Sequence, residues 1–126
     1  MTDLIKSLAV AASGMEAQAQ RLRHLSENIA NADTPGYRRK TISFRDAVDG
    51  SGVVPGPVRL DRSELTNIYD PGHPLADETG HYDGSNVDLV IEIADAREAQ
   101  RSYEANLRMF DQTRQMTQSL FDLLRR

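Results

Sequence analysis

Leu8, Met15, Leu22 and Ile29 recur every seven residues, and Leu4, Ala11, Gln18 and Leu25 interleave with them. Alternating steps of three and four residues put these side chains on one stripe of an α-helix, the a/d seam of a coiled coil. The spacing predicts one amphipathic helix over residues 3–30, roughly 42 Å long. The seam is thin, with alanines at 9, 11, 12, 17 and 19. Small residues let a partner helix approach closely but leave little apolar area to bury. Most helical stability comes from packing an apolar face, so this helix is marginal alone in water. It is expected to fray in the free chain and to order on assembly.

A second long helix is predicted at the other end. Ser85 is a suitable N-cap, and Asp88 three residues on makes a capping-box-like pair. The helix then runs from Asn86 to Leu124, about 57 Å if unbroken. One stripe on it is Ile93, Ala96, Gln100, Tyr103, Leu107, Phe110, Thr117, Phe121 and Leu124; a second is Met109, Met116, Leu120 and Leu123. Two adjacent apolar stripes call for more than one packing partner. One face suits the N-terminal helix, and the other is free for neighbouring molecules. Arg125 and Arg126 favour the helix dipole.

Between the helices the chain is punctuated by turns. Residues 37–45 read as an extended arm, with Ile42 and Phe44 alternating against Thr41 and Ser43. Asp49-Gly50-Ser51-Gly52 is a flexible turn, Pro55-Gly56-Pro57 a break, and Val58-Arg59-Leu60 a short strand. A marginal strand or loop spans Leu65 to Tyr69. A rigid, turn-rich loop follows from Tyr69 to Pro74 and continues through Leu75-Ala76-Asp77 to Gly80–Gly84. The expected fold is mainly α: a helical segment 1–32, an arm of short strands and loops 33–84, and a helical segment 85–126, forming one unit assembled with neighbours.

Apolar content of 39% with no Trp argues against a large core, and the absence of Cys excludes disulfides and thiolate metal sites. No stretch approaches the roughly 20 apolar residues of a membrane span. Lys6 interrupts the first short apolar run, so no signal-peptide pattern is present and export without a cleaved leader is expected. There is no phosphate-cradling Gly-rich loop, GxSxG or HExxH, so neither an enzyme, a cofactor nor a small-molecule substrate is expected. Nucleic-acid binding is not expected of a chain with net charge −4 and one short basic arm. That arm, Arg38, Arg39 and Lys40 with Arg45, lies in residues 36–45 without an acid, whereas residues 46–95 carry eleven acids against Arg59 and Arg62. Attraction between arm and acidic midsection of neighbouring copies stands against ordinary solvated charge.

Residues 26–40, SENIANADTPGYRRK, stop the first helix and start the arm. Asn31 is placed to end the helix in the left-handed region. Pro35 excludes Thr34 from helical geometry, and Pro35-Gly36 fits the centre of a type II turn, with Gly where φ must be positive. Asn28 and Asn31 bridge the helix end either to this turn or to a neighbour.

Ser26, Asn28 to Asn31, Thr34 to Tyr37 and Arg38 resemble the N-terminal signature of the flagellar rod and hook family. Asn86-Val87-Asp88-Leu89, Glu92, Ala99, Arg101, Tyr103 and Asn106 resemble its C-terminal signature. The loop YDPGHPLADETG, residues 69–80, is similar to the segment before the last helix in proximal rod subunits. Only about 50 residues separate the two signatures, where distal rod and hook proteins insert large β-rich domains. The pattern departs from the family at residues 81–85. The resemblance implies a structural subunit of the flagellar basal-body proximal rod, a helical tube of packed coiled coils that transmits torque. It further implies export by the flagellar type III apparatus and assembly in the periplasm. The implied partners are copies of itself, other rod proteins, and the inner-membrane ring and rod-adaptor proteins at the rod base. A soluble coiled-coil adaptor or secretion cofactor, or a different proximal rod subunit, are the alternatives.

The expected subunit-interface residues are Leu8, Met15, Leu22, Leu25, Ile29, Tyr103, Leu107, Phe110, Met116 and Phe121. The turn motif is Asn28, Asn31, Thr34, Pro35, Gly36 and Tyr37. Tyr103 with Asn106 reads equally as an interface pair or as a half-buried helix-face tyrosine. Asp70, His73, Asp77 and His81 share one loop and have metal-ligand chemistry, but no element fixes their spacing, and a polar turn is the preferred reading.

Overall fold

The computed structural model describes residues 2–125; the dipole role expected of Arg126 lies outside them. Helix α1 spans Thr2–Ala30 and α2 spans Leu89–Leu124. They run antiparallel: Asn28 meets Glu92 near one end, and Gly14 faces Asn106 further along. Between them lie six short strands among the described residues: β1 Lys40–Thr41, β2 Phe44–Asp46, β3 Val53–Pro55, β4 Arg59–Leu60, β5 Asn67–Tyr69 and β6 His81–Asp83.

The strands form three antiparallel pairs, β1–β4, β2–β3 and β5–β6. The first two are one long hairpin. Thr41 pairs with Arg59 and Phe44 with Pro55, so the returning strand carries one extra residue between them. That is a bulge at Gly56-Pro57-Val58, where Pro57 has no N–H to give a ladder. The hairpin leans on α1: the Val53 N–H donates to Ser13 Oγ at 3.1 Å. The β5–β6 hairpin carries the 70–80 loop on its end.

The seam on α2 is Glu92, Ala96, Ala99, Tyr103, Asn106, Phe110, Thr113, Thr117 and Leu120, all buried or half-buried. Its steps alternate four and three, as a coiled coil requires. On α1 the expected seam holds from Leu4 to Leu25. At the end it drifts, and Asn28 is buried while Ile29 is 36% exposed. Asn28, a step of three from Leu25 rather than the four that leads to Ile29, is covered there by Tyr37, Lys40 and Glu92. Among the described residues only Ala11, Ala17, Leu25 and Ala99 form a buried apolar core. The accessible surface is 8889 Å², against about 6,700 Å² for a compact 14.0 kDa monomer. The chain is elongated and leaves apolar surface uncovered.

Three expectations are corrected. Helix α2 begins three residues late, with Asp88 as its N-cap accepting from the Val90 N–H at 3.0 Å. Ser85 and Asn86 are held outside the helix, because their side chains bond across the chain to Ala32 and Arg39. Asn31 does not enter the left-handed region. Its side chain donates to the Glu27 carbonyl at 2.8 Å and satisfies the helix end from a right-handed turn. Residues 81–83, read as loop, are a strand paired to 67–69.

Candidate functional site: a buried polar latch

The turn after α1 forms as the sequence requires. Tyr37 N–H donates to the Thr34 carbonyl at 3.2 Å, and Gly36 has φ of 75°. Pro35 and Gly36 thus occupy the middle of a type II turn. The turn directs Tyr37, Arg38, Arg39 and Lys40 back across the start of α2.

Asn28 lies at the centre of the latch. It is fully buried, and an amide side chain has two donor and two acceptor positions. All are used. Its oxygen accepts from Tyr37 Oη and the Lys40 N–H, both at 2.8 Å; its nitrogen donates to the Lys40 carbonyl at 3.0 Å and to Glu92 Oε2 at 3.2 Å. Glu92 is also fully buried, and its other oxygen accepts from Arg39 Nε at 2.5 Å. Arg39 reaches Asp61 at 3.4 Å and Asp95 at 3.8 Å. The Arg39 N–H donates to Asn86 Oδ1 at 2.7 Å, and Asn86 donates onward to the Asp61 carbonyl at 3.0 Å. Lys40 Nζ pairs with Glu27 at 2.6 Å, and Arg38 donates to the Ser63 carbonyl at 3.0 Å.

The electrostatics are set by this packing. Burial pulls the Arg39 guanidinium down, but the bonds and charges of Glu92 and Asp61 outweigh it and hold its pKa above the ordinary value. The bond to Lys40 holds the Glu27 carboxyl below its usual range. Burial pushes the Tyr37 phenol up. Bonds from Ser63 lower Asp61. The basic arm is therefore turned onto its own chain, and Arg39 and Lys40 are engaged there rather than presented to a neighbour's acidic midsection. Every polar atom of Asn28 and both oxygens of Glu92 have partners. This cluster is suited to holding four segments in one register, not to moving a proton.

The expected interface residues fall into two sets. Leu25 is 5% exposed and packs within its own α1–α2 seam. Leu8, Met15, Leu22, Tyr103 and Phe110 are half-buried along that seam. Ile29, Leu107, Met116 and Phe121 are exposed. Tyr103 and Asn106 sit on the seam itself, with Asn106 filling the space left by Gly14. Among the described residues no group of three or more His, Cys, Asp or Glu is placed to hold a metal. Asp77 instead accepts from Thr79 and from the His81 N–H, while His73 stacks on Tyr82 at 3.9 Å. No helix among them is long and apolar enough to cross a membrane.

Asp61 was absent from the expected site, while Asn86 and Glu92 stood only in the C-terminal signature and Ser85 only as a helix cap. Glu92 carries a readable signal: it is one carboxylate inside the apolar run Leu89-Val90-Ile91-Glu92-Ile93. Asp61 carries none.

Two terminal helices are thus latched through Asn28, Arg39 and Glu92, with a short strand-bearing middle between them. Residues 8–38 match the family described as flagella basal body rod protein, and residues 78–123 match that described as flagellar basal body rod FlgEFG protein C-terminal. The chain is 47% identical to the flagellar basal-body rod protein FlgC of Agrobacterium fabrum, over 99% of this chain and 98% of that protein. It is 34% identical to FlgC of Salmonella typhimurium over 90% and 92%, and 34% identical to FlgC of Aquifex aeolicus over 97% and 98%. The chain belongs to the FlgC family of flagellar basal-body rod proteins, as a structural subunit of the proximal rod.

Proposed function

We propose that this chain enters the rod by burying the outward apolar side chains of its helix pair against neighbouring subunits. The observation that carries this is the stripe on α2, where Met109 is 61%, Met116 58% and Leu123 63% exposed. Ile5, Val10, Leu107 and Phe121 extend the apolar surface. Isolated exposed apolar residues are ordinary, but a stripe continued along two adjoining helices marks a packing surface. Its partners are copies of this chain and other rod proteins. At the rod base they include the inner-membrane ring and rod-adaptor proteins. Delivery is by the flagellar export apparatus to the periplasm. Many shared helix–helix contacts, each subunit stiffened by its latch, give a tube that resists twisting and so transmits torque.

The test is a strain in which Met116→Asp with Leu123→Asp replaces the natural chain. Basal bodies lacking rods are expected in electron micrographs, with unchanged far-ultraviolet circular dichroism of the purified monomer. Normal rods and motility would overturn the assignment of this stripe.

A further inference from the structure

The β2–β3 hairpin ends in a turn that presents one apolar side chain to solvent. Val48 is 108% exposed. The turn is ordered by its own bonds: Ala47 N–H to the Gly52 carbonyl at 2.8 Å, and Ser51 N–H to Asp49 Oδ1 at 3.0 Å. Asp46 and Asp49, both exposed, flank the valine.

A groove with matching chemistry lies on the first turns of α2. Val90, Ile93 and Ala94 line it, and Arg97, Glu98 and Arg101 form its rim. Val90 is 77% exposed. Positions 90, 94, 97 and 101 lie on one helical stripe. Glu98 is turned toward Arg21 at 3.7 Å, whereas Arg97 and Arg101 make no ion pair among the described residues. The groove therefore offers an apolar floor bordered on its C-terminal side by two guanidinium groups that make no ion pair among the described residues.

We propose that the Val48 tip of one copy seats in the Arg97–Arg101 groove of a second copy, with Asp46 and Asp49 meeting the two arginines. This rests on the reading that copies of the chain pack side by side in the rod. The chain's own tip cannot serve. Its base is held at Ser13, level with Asn106, and twelve helical residues, about 18 Å, separate Asn106 from Ala94. An apolar knob beside two acids fits an apolar floor bordered by two cations, and such complementarity fixes register more than it adds affinity. Knob and groove are different surfaces, so the contact is head-to-tail and propagates along a series instead of closing a two-fold dimer. One valine and two ion pairs fall well below the roughly 1,200 Å² of a stable interface. The contact therefore sets the spacing of copies that the apolar stripes hold together.

The chain has no cysteine, which makes the test direct. Val48→Cys with Ala94→Cys is expressed in place of the natural chain, and isolated basal bodies are oxidised mildly and separated without reductant. A ladder of dimers and higher multimers is expected, absent from either single-cysteine variant. Adding Arg97→Glu and Arg101→Glu should reduce the ladder at least tenfold, and a further Asp46→Arg should restore part of it. Rods that assemble but yield no multimers, links only to other rod proteins, or a ladder indifferent to charge reversal would each overturn the proposal. All three leave the rod assignment standing, because rods are still present. If the paired variant builds no rods, co-expressing the two single-cysteine variants with the natural chain must give a dimer, and its absence counts equally against the proposal.

Discussion

The two ends of the helix pair are built on different principles. At the end holding Asn28 and Glu92, two fully buried polar side chains are saturated with partners from α1, the arm and α2. Toward the other end the seam is small and thin, Gly14 against Asn106, and Met109, Met116 and Leu123 face outward. A buried ion pair with a complete set of bonds is weak evidence of net stability, because desolvation opposes it, but removing one partner is costly. The latch thus fixes geometry within one chain, whereas the far end keeps its apolar surface for contacts between chains.

The sharpest way to break this contrast is at Arg39. Arg39→Ala leaves the Glu92 carboxylate buried without its cation, and a loss of about 3–5 kcal/mol is expected in urea unfolding. Asn28→Ala should cost about 2–3 kcal/mol, since Glu92, Tyr37 and the Lys40 backbone lose partners together. The two losses should add to less than their sum, because both act on Glu92. Full additivity would mean that the latch is not one unit.

Gly36→Ala probes the turn that feeds the latch. No atom lies within 4 Å of a Cβ there, so only the positive φ opposes the change, and about 1 kcal/mol is expected. Acid should act on the carboxyl groups with lowered pKa values, Glu27, Asp49, Asp61 and Asp77. Their folded forms hold protons less tightly than the unfolded chain does. The stability they contribute is complete above the ordinary carboxyl range, about pH 4, and is lost as pH falls through their lower folded values. A melting temperature level between pH 6 and 8 and declining below about pH 4 is expected by calorimetry.

The contrast also explains what could be read from the sequence. The α1 seam, the Pro35–Gly36 turn and the outward stripe of α2 are local patterns, set by periodicity or by a single residue's allowed φ. The latch is not local. Asn28 bonds across 64 residues to Glu92, and Arg39 across 53. No helical or strand period links them, so the basic arm read as exposed charge. The late start of α2 has the same cause: Ser85 and Asn86 have good capping chemistry, but distant partners claim their side chains. Strand β6 was hidden because Gly80 and Gly84 bracket a three-residue run that pairs only with β5.

The most direct measurement is residue-resolved amide hydrogen exchange on the dilute monomer. Residues 21–30 and 92–99 should exchange only through the slowest opening of the chain, and residues 2–9 and 115–124 orders of magnitude faster. Uniform protection from end to end would contradict the account, because the far end would then be complete without its neighbours.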